Sequence, residues 1–403
     1  MEAATLSPTV VDLEKQYLLQ NYARYPVVLQ RGKGCYVYDT AGKRYLDLLA
    51  GIGVNALGHA HPRLTKVIRE QAGRLVHSSN LYYHEYAGPL AERLSKASGL
   101  ARIFYCNSGT EANEAALKMA KAHGHAVSPD KFEIVALDNS FHGRTVGALS
   151  VTGQQSYRRD FEPLMPGVHF VPRNDITALE QVVSERTAGI IIELVQGEGG
   201  IYPLSVDYVR KARELADRYN ALLIFDEIQC GVGRPGTYFA YQMFEPVILP
   251  DIMIAAKPMA CGIPLGVIAA NERAAASIGA GMHGSTFGGG PLACRVALEF
   301  FDILDELMPN ITNVGGYFRM RLNELAKKYS FVREIRGFGL MIGVELDIPG
   351  KQIVLDAIEE GLLLNCTHET VLRMLPPYIL TEQDVDRAMV VLNRVFKKAK
   401  PAA

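Results

Sequence analysis

"GIIIELVQGEGGIYPLSVDYVRKARELADRYNALLIFDE", residues 189–227, holds two short apolar runs with an amphipathic run between them. Gly189 to Leu194 and Ala221 to Phe225 are nearly continuous in hydrophobicity. Strands covered on both faces of a sheet read this way. Ser205 to Asn220 reads as an amphipathic helix. Strand, helix and strand in that order imply two parallel strands and a right-handed crossover.

Working outward, the alternation continues. "RIFYC" (102–106), "FEIVAL" (132–137), "DIMIAA" (251–256) and "LGVIAA" (265–270) are further strand candidates, and "EANEAALKMAKAHG" (111–124) is a helix. A long helix is expected from Pro291. The style then changes. "VREIRGFGLMIGVEL" (332–346), "LLLNC" (362–366) and "TVLRMLPP" (370–377) suggest a small antiparallel sheet, closed by a helix over "EQDVDRAMVVLNRVFKKAK" (382–400). At the other end, "VDLEKQYLLQNYA" (11–23) reads as helical, and residues 34–53 as short strands around a turn at Ala41 and Gly42. The expected fold class is α/β. A large domain (61–305) would carry a mainly parallel mixed sheet flanked by helices. A smaller α+β domain would be built from 306–403 with residues 1–60.

The 403 residues suffice for two or three packed units. The net charge of −1 gives no field to attract nucleic acid or anionic lipid. Cysteines 35, 106, 230, 261, 294 and 366 form no CxxC pair and no metal-ligand spacing, so they read as small reduced core residues, and no metal is expected. The first thirty residues lack a basic start followed by an apolar stretch, and no run is long enough to span a bilayer. A cytoplasmic protein is expected.

In open parallel sheets, ligands sit beyond the carboxyl ends of the strands. After "RIFYC" comes "NSGTEANEAALKMA", where Asn107 or Ser108 can cap a helix. The N–H groups of Ser108, Gly109 and Thr110 could hold a phosphate there; an ordinary capped helix is the alternative. Asp226 ends a buried run and could pair with a cationic ring nitrogen, or cap a turn. Gly231, Gly233 and Gly236 spell G-x-G-x-x-G, but no helix start follows, so a dinucleotide loop is a weak reading. In "FHGRT", Phe141 could stack on a planar ring or fill the core, and Arg144 could fork onto a carboxylate or form a surface salt bridge. Glu193 and Glu198 lie at the end of a buried run and in a glycine-rich loop. Arg373 sits among apolar residues and needs a partner or an anionic ligand. His59, His61 and His142 read as ordinary polar or turn residues.

Lys257 ends the run "DIMIAAK", just before Pro258 and Gly262 break the pattern. Alone it could be a lysine snorkelling from a strand end. On a strand parallel to that of Asp226 it would share Asp226's crevice, where desolvation lowers an amine's pKa and favours attack on an aldehyde. An amine nucleophile, a carboxylate for a ring nitrogen, an aromatic face and a helix N-terminus for a phosphate together describe a pyridoxal 5′-phosphate site.

The motifs resemble the class III (fold type I) pyridoxal-phosphate aminotransferases over nearly the whole chain. They include "NYARYPVVLQRGKG", "VNALGHAHP", "NSGTEANEAALKMA", "FHGRT", "QGEGG", "FDEIQCGVGRPG", "HGSTFGGGPLA" and "LRMLPP". "AGIGVNALGHAHP" with "FHGRT" leans to the branch acting on N2-acetyl-L-ornithine. The resemblance implies that Lys257 joins the cofactor aldehyde and shuttles a proton, and that Asp226 pairs with the ring nitrogen. It implies that Gln229 lies near the ring oxygen, that Phe141 stacks on the ring, and that Ser108, Gly109 and Thr110 bind the phosphate. Glu193 is placed among the cofactor-binding residues. Thr286 would reach the phosphate of a second subunit, which implies a homodimer. Ser285 and Arg144 would contact the amino donor, with Tyr22 nearby. Arg373 would grip glutamate or 2-oxoglutarate, and Glu198 would neutralise Arg373 while the ω-amine is bound. The reaction that the resemblance implies moves the δ-amino group of N2-acetyl-L-ornithine to 2-oxoglutarate, in arginine biosynthesis. Succinylornithine, acetyl-lysine or diaminopimelate-type intermediates, 4-aminobutyrate and ornithine are alternative donors. A pyridoxal-phosphate aminomutase and a nicotinamide-dependent oxidoreductase are rivals from other classes. The chain departs from the family pattern at "PMACG" after the lysine and at Gly290. Ile52 stands where ornithine aminotransferases carry tyrosine, although Tyr22 is shared with them.

Overall fold

The structure is a computed structural model and describes residues 9–399; the ends of the two outermost expected segments lie outside the described residues. Its centre is a seven-stranded sheet. From one edge the order is Arg102–Cys106, Gly266–Ala270, Ile252–Ala255, Leu222–Asp226, Thr187–Ile192, Glu133–Leu137 and Val168–Val171. The strands Thr187–Ile192, Leu222–Asp226 and Ile252–Ala255 are buried throughout, as their unbroken apolar runs require. The expected unit of 189–227 is present: the helix Val206–Arg218, capped by Ser205, connects two parallel neighbours.

One strand departs from the parallel pattern. Gly266–Ala270 runs antiparallel to both neighbours. Its apolar run looks like the others, because hydrophobicity reports burial and not direction. A further correction concerns "LLLNC". Leu362–Leu363 pairs in parallel with Arg44–Asp47 in the N-terminal sheet, while Asn365–Thr367 joins the C-terminal antiparallel sheet with Val332–Phe338, Met341–Leu346 and Val371–Met374. The first helix is also shorter than expected, Val10–Tyr17. The long helix runs Pro291–Ala326, with proline at its first position, where the missing N–H has no helical partner to lose.

Two features place the site. Asp226 pairs in register with Ile254 on the adjacent parallel strand, so Asp226 and Lys257 emerge at the same carboxyl edge. The Gly231–Gly236 loop begins no α-helix; Gly233 and Gly236 take φ of 89° and 99° in tight turns. That geometry offers no helix N-terminus for a pyrophosphate, so the dinucleotide reading falls. Instead the loop presents Arg234, which is fully buried. Its guanidinium donates to Leu340 O, Pro376 O and Gly53 O and lies over the Tyr378 ring. This one side chain ties the central sheet to both terminal sheets. All six cysteines are free, and four are buried.

Candidate active site

At the carboxyl edge of the sheet lies a cavity of about 450 Å³. Ser108, Gly109, Thr110, Phe141, Arg144, Glu193, Glu198, Asp226, Gln229 and Lys257 all line it. They come from five separate stretches of chain, each ending or following a strand.

The phosphate end is a helix start. The helix Gly109–Val127 is capped by Ser108, whose Oγ accepts from Glu111 N at 3.3 Å. Ala112 N donates to Ser108 O. A helix leaves its first four N–H groups without helical partners, so those of Gly109 and Thr110 remain to meet an anion. Glycine at 109 leaves room for Ile228, whose Cδ1 would lie 2.6 Å from an added Cβ.

Asp226 is 3% exposed and accepts three hydrogen bonds: Asn113 Nδ2 at 3.1 Å, His142 Nδ1 at 2.7 Å and Ile228 N at 3.0 Å. Burial is the strongest single influence on His142 and disfavours its charge. The bond to Asp226 and the charges of Asp226 and Glu193 outweigh it and raise the imidazole above its ordinary range. The carboxylate is thus oriented by a buried imidazole and an amide. Glu193 is held by Phe141 N at 3.1 Å and Gly197 N at 3.3 Å. Burial pushes its carboxyl up to about 7, with Asp226 adding and His142 opposing.

Burial also lowers the pKa of the Lys257 amine; nearby Arg373 adds to this, and Glu198, Asp226 and Glu193 oppose it. Arg373 is 1% exposed. Its Nη1 meets Glu198 Oε1 at 2.5 Å and Gln229 Oε1 at 3.1 Å, and its Nε donates to Asn365 Oδ1 at 3.2 Å. Burial disfavours the Glu198 charge, but Arg373 outweighs it and holds the carboxyl below its ordinary value. Arg144, by contrast, is exposed and has no carboxylate partner among the described residues.

Three expected residues lie elsewhere. Tyr22 is 69% exposed and lines a separate N-terminal hollow. Ser285 Oγ is engaged by Asn107 Nδ2 and Gly288 N, both at 3.1 Å, and Thr286 is exposed; neither lines the cavity of its own chain. Ile52 is also outside the cavity, on a left-handed turn whose four residues, Ala50 to Gly53, have φ between 50° and 81°. Such a conformation is strained for a β-branched residue. It delivers Val54 to the cavity wall.

His142 was expected to be an ordinary polar residue and is corrected here: it is fully buried on Asp226. Asn113, the other donor to Asp226 Oδ2, is not legible as a site residue in the sequence. Its one sequence signal was a polar side chain inside an alanine-rich helix, which is also how a surface asparagine reads.

The family description "Aminotransferase class-III" matches residues 17–396. An acetylornithine aminotransferase of Methanocaldococcus jannaschii is 46% identical over 393 residues, covering 97% of this chain and 98% of the relative. Among solved structures, an ornithine aminotransferase of Toxoplasma gondii with partial occupancy of PLP at its active site superposes with a TM-score of 0.91 at 34% identity, covering 96% and 94% of the two chains. An N-acetylornithine aminotransferase of Stenotrophomonas maltophilia superposes with a TM-score of 0.84 at 33% identity, covering 96% and 99%.

Proposed function

This chain belongs to the class III aminotransferases, and on that premise we propose that it moves the δ-amino group of N2-acetyl-L-ornithine to 2-oxoglutarate. The products are N-acetyl-L-glutamate 5-semialdehyde and L-glutamate. The observation that carries this reading is the unequal state of two cavity arginines. Arg373 is buried and masked by Glu198; Arg144 is open. In the first half-reaction the donor's reacting carbon bears no carboxylate, and one cationic grip, Arg144, is needed at the remote end. In the second, a dicarboxylate enters, and Arg373 would take its second carboxylate once Glu198 swings aside.

Pyridoxal 5′-phosphate is the cofactor, and when bound it supplies an electrophilic carbonyl and an electron-withdrawing ring. The residues fit it. The carboxylate of Asp226 is buried and aimed into the cavity, Phe141 offers a ring face, and the Gly109 and Thr110 N–H groups are free for a phosphate. Lys257, with its charge disfavoured by burial, is suited to take a proton from the amino-bearing carbon and return it elsewhere. Glu193 fixes Phe141 and Gly197 through their N–H groups, which steadies the wall around the ring.

A homodimer and a cytoplasmic setting belong to the same proposal. Leu81, Tyr82, Tyr83 and Phe287 are 67% to 106% exposed. They lie on two segments that Asn80 joins by donating to Ser285 O and Gly288 O. Large exposed apolar surface of this kind favours association. It would also carry Thr286 to a partner's cavity. No described helix is long and apolar enough to cross a membrane.

The test is a panel of donors with 2-oxoglutarate, following glutamate. N2-acetyl-L-ornithine should exceed 4-aminobutyrate and ornithine in kcat/KM; parity would refute the donor assignment and leave the family intact. In single half-reactions, Glu198→Ala should raise the preference for glutamate over N2-acetyl-L-ornithine by at least about tenfold, because Arg373 is then unmasked. An unchanged ratio would end the gating role.

A further inference from the structure

Arg144 is held in an unusual way for a residue expected to bind a carboxylate. Its main chain is fixed: Arg144 N donates to Thr110 Oγ1 at 3.2 Å. The preceding Gly143 has φ 145°, and a Cβ there would lie 2.1 Å from the same Thr110 Oγ1. Among the described residues its side chain has no hydrogen bond or salt bridge, and its guanidinium lies over two rings. The guanidinium carbon is 4.0 Å from the centroid of Tyr157 and 5.4 Å from that of Phe141. The two rings meet edge to face, 6.0 Å apart at 84°. Tyr157 sits on the short helix Gln155–Arg158 behind Arg144 and does not line the cavity.

Stacking uses the face of a guanidinium and leaves its in-plane N–H donors free for a carboxylate. A carboxylate partner does the opposite and occupies those donors, as Glu198 does on Arg373. The two arginines therefore have supports of different chemistry. Arg373 is needed in one half-reaction and is masked by an acid. Arg144 is needed in both and is braced without being masked.

We propose that Tyr157 is a positioning residue that stacks on Arg144 and presents its open donors to the remote α-carboxylate of the amino donor. This rests on the donor reading above. It makes Tyr157 a determinant of specificity for ω-amines that carry such a carboxylate, and it predicts no benefit for donors without one.

The test compares Tyr157→Leu and Tyr157→Phe in the holoenzyme. With N2-acetyl-L-ornithine, Tyr157→Leu should raise KM about fivefold and leave kcat within about twofold, while Tyr157→Phe, which keeps the ring face, should stay near wild type. With N-acetylputrescine, the same donor lacking the carboxylate, wild type and both variants should be alike. Independently of turnover, phenylglyoxal should modify Arg144 faster in Tyr157→Leu than in wild type or Tyr157→Phe, as read by peptide mapping. An unchanged KM with N2-acetyl-L-ornithine, or an equal loss on N-acetylputrescine, overturns the proposal. If wild type does not use N2-acetyl-L-ornithine at all, the donor reading fails, and the Arg144 modification rates still decide whether Tyr157 braces it.

Discussion

Lys257→Ala is expected to lower kcat/KM for transamination by at least about a thousandfold, since nucleophile and proton carrier are lost together. Lys257 follows the strand Ile252–Ala255 and reaches a cavity that it shares with Asp226, Glu198 and Glu193. Burial lowers its amine below the ordinary 10.5, so more of it is neutral near pH 7, and the neutral form attacks carbonyls and accepts protons. The sign follows for pH: activity should fall on the acid side as the amine is protonated. The direct measurement is borohydride reduction followed by peptide mapping. Wild type should carry a reduced pyridoxyl tag on Lys257 and the variant none. A tag on another lysine, or turnover retained in the variant, would remove the basis of the mechanism.

Asp226→Asn should lower kcat in each half-reaction by about a hundredfold to a thousandfold, because it removes a preorganised, buried charge. It should also weaken cofactor binding, measurable by fluorescence titration of apoenzyme. The loss extends beyond the side chain itself. Asn113 and His142 both donate to Asp226 Oδ2, and an amide nitrogen placed there would face two donors. His142 would lose the carboxylate that raises its pKa against its burial. If Asp226→Asn kept near-normal kcat and cofactor affinity, the carboxylate would be a structural cap and the ring-nitrogen pairing would be wrong.

Much of this architecture was legible in the chain because burial is written into local pattern. The apolar runs ending at Cys106, Leu137, Phe225 and Ala256 became strands of one sheet, and the residues just past them became the cavity wall. The span 189–227 was enough to call for parallel strands with a helix between. The proximity of Lys257 and Asp226 followed from that, since adjacent parallel strands end on the same side.

What the sequence by itself determined was therefore the placement of groups along one edge: which residues follow strands, which glycines admit close approach, and which cations lie in apolar surroundings. Tertiary structure alone decided the pairing of those groups. Nothing local says that His142 and Asn113 converge on Asp226, that Gly266–Ala270 runs backwards, that "LLLNC" is shared between two sheets, or that Arg144 rests on Tyr157 while Arg373 rests on Glu198. The reason is physical. Hydrophobic period and turn chemistry act over a few residues, whereas the partner of a buried polar group is whatever distant donor or acceptor the packed chain brings within about 3 Å.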